Sequence, residues 1–487
     1  MSAFILAWFG LLGMARADNV VTYHNAPARS GAYVLPDLTL AAAAHVHPDD
    51  RFSGAVDGHI YAQPLFWHPA GGRALVIAAT ESDVVAALDA RTGETVWQRK
   101  LGDPVPRDEL PCGDIDPVGI TGTPVIDAAS GVMFLDALVR TRSGPQHRLY
   151  ALSPTNGSVI AGWPLDVQSS LAALRVPFSS STQGERSALQ MMDGSLYVNY
   201  GGNWGDCGDY HGTVIQVQVS PPKIAAHWLT RARGGGIWAQ GGLASDGKAL
   251  YATTGNTFDA RQWSDGEAVV RLKPGLAHSG DTRDFFTPSN WQDLDRDDAD
   301  LGGTEALPFD VPASPHPAAR VIAFGKDGNA YLLDRENLGG IGGALAVVHV
   351  SSGRIITAPA LYARQAAEWV AFTSNGGGNC RGNGLMMLRI DASKASPINQ
   401  AWCARFSGAG APIITTTNGS ANAIAWVVGA EGDNLLHGFN ARDGSVVFDG
   451  ADARMTGLRH FVTIMAAEGR FYIGANNRVY AFAYAKP

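Results

Sequence analysis

Residues 234–326 concentrate the side chains that can do chemistry. Gly234, Gly235 and Gly236 run into the isolated Trp238. An apolar run, ALYATTGN, ends on Asn256. Acids crowd residues 293–300, and Lys326 stands in a GKDG turn between two apolar runs. A flat aromatic can carry a planar ligand. Carboxylate and amide oxygens suit a hard divalent ion. An Asp near a substrate hydroxyl can act as a base, and a cation can stabilise charge that develops on a reacting carbonyl. These four features make one site only if the fold brings them together.

The elements that must do so read as strands. Helical periodicity is nearly absent, and short β-rich runs alternate with Gly, Asp and Asn turns. One phrase recurs: an apolar strand, then Leu-Asp-x-x-x-Gly. It is clearest as VAALDARTGETVW (85–97) and LYALSPTNGSVIAGW (149–163). Weaker copies begin at Val214, Val269, Ala330, Leu385, Leu435 and Val479, which makes eight copies at broadly even spacing. A four-stranded blade needs about 40 to 50 residues, and the copies are spaced widely enough to hold one blade each. The expectation is therefore an all-β chain forming an eight-bladed β-propeller of four-stranded antiparallel blades. The last copy stops without a fourth strand. An N-terminal strand, NVVTYHN at 19–25, is expected to supply it and close the ring. Trp97, Trp163, Trp228 and Trp402 fall at similar places after the turn and are expected to pack between blades.

Composition narrows the partners. The chain is 46% hydrophobic and 17% charged, so a large core is available. A formal charge of −8 argues against nucleic acid, which wants a basic face. Phe4 to Met14 form an apolar run too short to span a bilayer, followed by the small-x-small site Ala15-Arg16-Ala17. Residues 1–17 thus read as a signal peptide without a basic start, and residues 18–487 as one domain. A buried N-terminal helix is the alternative. No membrane span is expected later in the chain. An exported chain is expected to pair its four cysteines. Cys380 and Cys403 end neighbouring strand-like runs and are expected to bond, which leaves Cys112 with Cys207. Nucleophile-elbow, Walker and HExxH motifs are absent.

The repeat resembles the pyrroloquinoline-quinone repeat, YALDAxTGxxxW, across nearly the whole chain, and residues 234–326 are similar to the quinoprotein alcohol dehydrogenases. In that family a Gly-rich segment leads to the Trp under the quinone, which the resemblance puts at Trp238. A strand-end Gly-Asn meets metal and quinone, here Gly255-Asn256. A catalytic Asp follows, with Asp298 the first counterpart and Asp300 the second. A cation near the quinone carbonyls corresponds to Lys326. In GGNWGDCGDYHG, Asp206 takes the place of a calcium-binding Glu. The implied cofactors are pyrroloquinoline quinone and calcium. Asp298 and Lys326 would be catalytic, Trp238, Asn256 and Asn375 would bind cofactor, and Asp206, Asn256 and Asp298 would bind the metal. His211 and Asn375 fall at blade ends and are candidate pocket lining.

Several positions depart from the family. Cys112 is followed by Gly113, so the adjacent-cysteine disulfide over the quinone has no counterpart. The family's Arg for the quinone carboxylates falls near Val118, and its first-blade Glu near Tyr61. No CxxCH for an attached haem occurs, so electrons would leave to a separate acceptor. Each site residue also has a plainer role. Trp238 can pack between blades, Asn256 can cap a turn, the acids can form a solvated or structural calcium loop, and Lys326 can be an exposed hairpin residue. Two functions follow. One is a periplasmic or secreted quinone-dependent dehydrogenase for a small alcohol, aldehyde or sugar. The other is a cofactor-free propeller that binds protein or ligand, as in the scaffold subunit of the outer-membrane β-barrel assembly machinery.

Overall fold

The computed structural model of the protein describes residues 19–311, 317–378 and 380–484; the leader expected at 1–17 lies outside them. Eight small sheets, built mainly of antiparallel strands, follow one another around a ring. The first blade spans 65–100, the second 125–166, the third 183–229 and the fourth 244–287. The fifth spans 307–349, the sixth 360–405, the seventh 413–449 and the eighth 464–483. Among the described residues no helix is long and apolar enough to cross a membrane.

The repeated phrase owes its form to one turn. In the first blade the Asp89 carboxylate accepts the backbone N–H of Arg91 and Thr92, and Gly93 N–H returns to the Asp89 carbonyl. Gly93 sits at φ 70°, a conformation that favours glycine. This turn leads from the third strand, Val84–Asp89, into the fourth, Thr95–Lys100. Asn440 and Gly444 repeat it in the seventh blade. The tryptophans then join blades. A Cβ on Gly157 of the second blade would lie 2.5 Å from the Trp97 ring of the first, and Trp97 Nε1 donates to the Pro154 carbonyl. Trp402 of the sixth blade lies against Gly444 of the seventh in the same way, its Nε1 donating to Ala441. Between neighbouring blades the apolar faces interdigitate, as Leu75, Ile77 and Val85 do with Met133, Leu135 and Ala137. Burying an aliphatic side chain of this size is worth about 1.5–3 kcal/mol.

An N-terminal strand closes the ring, but not through residues 19–25. His47–Pro48 pairs with Arg478–Ala483 and completes the eighth blade. Residues 19–25 make one bridge, Val20 to Phe66, and then the short turn Tyr23–Asn25. The physical reason is that residues 21–31 are held by single donors from several blades instead of one strand partner. Arg29, fully buried, donates to Thr22 Oγ1 and the Leu189 carbonyl. Backbone N–H groups of Ile126, Ser245, Leu361 and Ile414, each from a different blade, donate to carbonyls of Val21, Pro27, Ser30 and Gly31. A regular edge strand would leave those donors unpaired in the interior. Both expected disulfides are present, Cys112–Cys207 and Cys380–Cys403.

Candidate functional site

The site residues come from loops between strands, at one end of the ring. Trp238 lies between the last strand of the third blade, Pro222–Leu229, and the first of the fourth, Ala244–Ser245. Asn256 follows the second strand of the fourth blade, Leu250–Thr254. Asp298 and Asp300 lie in the connection from the fourth blade to the fifth. Lys326 stands in the hairpin between Ala318–Phe324 and Asn329–Asp334. All five, with Asp206 from the third blade, line one cavity of about 570 Å³. That is within the range that holds small organic ligands.

The glycines bring two loops into backbone contact. Gly235 N–H donates to the Asn256 carbonyl at 2.7 Å, and Gly255 N–H to the Gly236 carbonyl at 3.0 Å. A Cβ on Gly255 would meet Asp300 Oδ1 at 2.8 Å and Trp238 Nε1 at 3.3 Å. Only glycine lets the acid, the amide turn and the indole converge so closely.

The acidic run divides its work. Trp291–Asp297 forms a short helix that ends on Asp298 in the left-handed conformation, φ 50°. Asp293 and Asp297 pair with Arg296 at the surface. Asp295 faces inward and accepts both the N–H and the hydroxyl of Thr257 at 2.7 Å. Asp300 is 3% exposed; its Oδ1 accepts Asn256 N–H at 2.9 Å and its Oδ2 meets Lys326 Nζ at 2.6 Å. Asp298 Oδ1 lies 2.9 Å from the same ammonium, with its side chain 55% exposed. Lys326 Nζ is 5.2 Å from the centre of the Trp238 ring, within cation–π range. Burial works to lower the Lys326 pKa, but Asp300 and Asp298 outweigh it and the net shift is upward. The lysine therefore stays an ammonium.

Burial raises the pKa of Asp206, and Asp300 and Asp298 add to this against the Tyr210 hydroxyl, which donates to Asp206 Oδ1 at 2.6 Å. Beneath the acids lies Glu267, wholly buried, with Oε2 accepting Leu301 N–H at 2.6 Å. Burial first, then Asp300, pushes its pKa well up.

Not every expected residue joins the cavity. Asn375 is exposed beside residues 351–353, where its carbonyl accepts the Ser352 hydroxyl, and is absent from the cavity lining. His211 stands at the edge of the third blade, its Nδ1 2.8 Å from the Thr230 carbonyl, and is likewise absent from the lining. Val118 pairs with Val105 and is absent from the cavity lining. Tyr61 is buried with its ring edge-on to His460, and burial pushes its pKa up to about 12. Residues that sequence reasoning missed complete the wall: Asp114, Arg186, Trp204, Arg354, His460 and Phe461. Arg186 pairs with Asp114, and His460 Nδ1 with Glu431 at 2.9 Å. Trp204 stands inside the segment GGNWGDCGDYHG; the others carry no local motif, because loops far apart in the chain deliver them.

The residues present suit a planar aromatic ligand over Trp238. They do not make a closed metal site in this arrangement. Asp206, Asn256 and Asp298 face the cavity, yet among the described residues no three Asp, Glu, His or Cys side chains gather closely enough to hold an ion. Lys326 already pairs with both Asp298 and Asp300.

None of the curated proteins matches the chain. A family model described as outer membrane protein assembly factor BamB matches residues 51–199, which hold the first two blades and part of the third. Among solved structures, a quinohemoprotein alcohol dehydrogenase from Comamonas testosteroni is 14% identical with a TM-score of 0.65, over 96% of this chain and 81% of that one. A europium-containing methanol dehydrogenase is 13% identical with a TM-score of 0.66, over 96% and 98%. BamB from Moraxella catarrhalis is 15% identical with a TM-score of 0.53, over 90% and 99%. The resemblance read from the sequence holds at the level of the fold, which dehydrogenases and an assembly factor share.

Proposed function

We propose that this propeller is an exported, quinone-dependent oxidoreductase that oxidises a small alcohol, aldehyde or sugar. The observation that supports this most is the convergence of Trp238, Asn256, Asp298, Asp300 and Lys326 on one cavity from four separate loops. Pyrroloquinoline quinone would lie on Trp238 beside Lys326, and when bound would supply the two-electron chemistry. Asp298, the more exposed acid, would take the proton of a substrate hydroxyl. Asp300 is a positioning residue, fixing Lys326 and the Asn256 backbone. Residues 1–17 would be an export leader, residues 18–487 one domain, and the location periplasmic or secreted. Two cystine bridges fit an oxidising compartment. Electrons would pass to a separate acceptor. Calcium among Asp206, Asn256 and Asp298 would require Lys326 to release Asp298.

A cofactor-free binding propeller is the second reading. It is favoured by the BamB match and by Val118, a hydrophobe where the quinone family carries its Arg. One experiment separates the two. Purified protein is titrated with pyrroloquinoline quinone, with and without calcium, while tryptophan fluorescence, the quinone absorbance and dye reduction with an alcohol panel are recorded. Quinone binding with turnover supports the enzyme; neither binding nor turnover sinks it. Asp298→Asn is expected to keep the quinone and lose turnover by about 10²-fold or more; full turnover in this variant would exclude Asp298 as the base.

A further inference from the structure

Resting on the reading of this cavity as a small-molecule site, we infer that its substrate carries a carboxylate, and that Arg354 recognises it. Three cations line the cavity. Lys326 is held by Asp298 and Asp300, and Arg186 by Asp114. Arg354 alone has no carboxylate within ion-pair distance among the described residues. A guanidinium kept unpaired in a pocket is a ready partner for a planar, bidentate anion.

Its backbone is fixed. Arg354 lies in the connection from the fifth blade to the sixth. Val350 and Ser351 N–H donate to the Gly328 carbonyl at 2.8 and 3.0 Å, in the same turn that carries Lys326. A Cβ on Gly353 would meet Asn375 Nδ2 at 2.5 Å, so the next blade holds the loop from the other side. Further on, Ile356 also lines the cavity, and its Cγ2 and the Trp238 ring lie 3.2 and 3.5 Å from a Cβ built on Gly303. Arg354 is exposed whereas Lys326 is 11% exposed. The unpaired cation thus stands at the mouth and the paired one deep beside the indole. A ligand with an alcohol at one end and an acid at the other would place the alcohol by Asp298 and the acid by Arg354. The substrate class is a hydroxy acid, not a neutral alcohol.

The test compares 4-(hydroxymethyl)benzoate with benzyl alcohol on wild type, Arg354→Gln, Arg354→Lys and the surface control Arg442→Gln, all at low ionic strength. Binding is read by calorimetry on protein with and without pyrroloquinoline quinone, and KM by dye reduction. The acid is expected to bind wild type at least tenfold more tightly than the alcohol. That preference should vanish in Arg354→Gln, return in part in Arg354→Lys and weaken with salt. Equal binding of acid and alcohol by wild type, or an undiminished preference in Arg354→Gln, overturns the proposal. So does a loss confined to quinone binding, which would assign the guanidinium to the cofactor. An acid preference that depends on Arg354 in protein that neither binds quinone nor reduces dye upholds the inference and sinks the dehydrogenase reading instead.

Discussion

The cavity has two walls that hold their charges differently. On the side of the fourth and fifth blades, the acids are tied to backbone. Asp300 accepts Asn256 N–H, Asp295 accepts Thr257 N–H, and Glu267 accepts Leu301 N–H. On the opposite side, Asp114 meets Arg186 and Glu431 meets His460 through side chains on exposed or half-exposed loops. Buried charge held by backbone donors is costly to disturb, while exposed ion pairs contribute little. One wall is preorganised for chemistry; the other is free to vary with the ligand. The Cys112–Cys207 bridge joins the Asp114 loop to the loop of Asp206 in the third blade.

Four measurements would break or sharpen this contrast. The largest effect is expected from Cys112→Ala with Cys207→Ala, which opens a loop with a sequence separation of 95 and should cost roughly 4 kcal/mol in denaturant unfolding. A loss under about 1 kcal/mol would show that the opposite wall does not depend on the staple. Next, Asp300→Ala leaves Lys326 with one exposed acid and Asn256 N–H without its partner. It should cost about 3 kcal/mol and a large part of any quinone affinity; stability within error of wild type would remove the distinction between the walls.

The third concerns pH. Burial lifts Glu81 to about 7 and Asp83 to about 8, both near the opposite wall. Their folded values lie above their unfolded ones, so the folded chain binds protons more tightly. Stability is then fully present below about pH 4 for these groups, falls as pH rises, and levels off only above about 8. Melting temperature measured from pH 5 to 9 should decline, and Asp83→Asn should flatten the upper part. A melting curve that rises over this range would contradict the assignment. The smallest effect is expected from Asp114→Ala, at most about 1 kcal/mol. A cost equal to that of Asp300→Ala would mean both walls are built alike.

Much of the preorganised wall is legible in the sequence, and little of the other. The Gly-run, Trp238, Gly255-Asn256, Asp298 and Lys326 lie on consecutive blades, so order along the chain becomes order around the cavity. The eight blades are legible because the Asp-x-x-x-Gly turn leaves a residue pattern wherever it occurs. Arg186, Arg354 and His460 are not legible. Each is a single residue on a loop with no neighbouring signal, and only the closed ring makes them neighbours. Asn375 shows the converse: it lies at a blade end, as its pattern suggests, but beyond the rim of the cavity. Ring closure is N-terminal as expected, yet the strand that closes it comes later than residues 19–25. The pattern of NVVTYHN is strand-like, whereas its backbone partners in the blades are single residues of two of them, Phe66 and Ile126.

That displaced segment has a consequence for how the molecule comes into being. The seam of the ring joins His47–Pro48 to the strand Arg478–Ala483, at opposite ends of the described chain, and the segment around Arg29 takes donors from blades that do not yet exist when it is synthesised. The first part of the chain must therefore wait for the last. Contacts so remote in sequence slow folding and prolong the exposure of unpaired edges. A chain arrested before its eighth blade would leave the strand that closes the ring, His47–Pro48, without its partner.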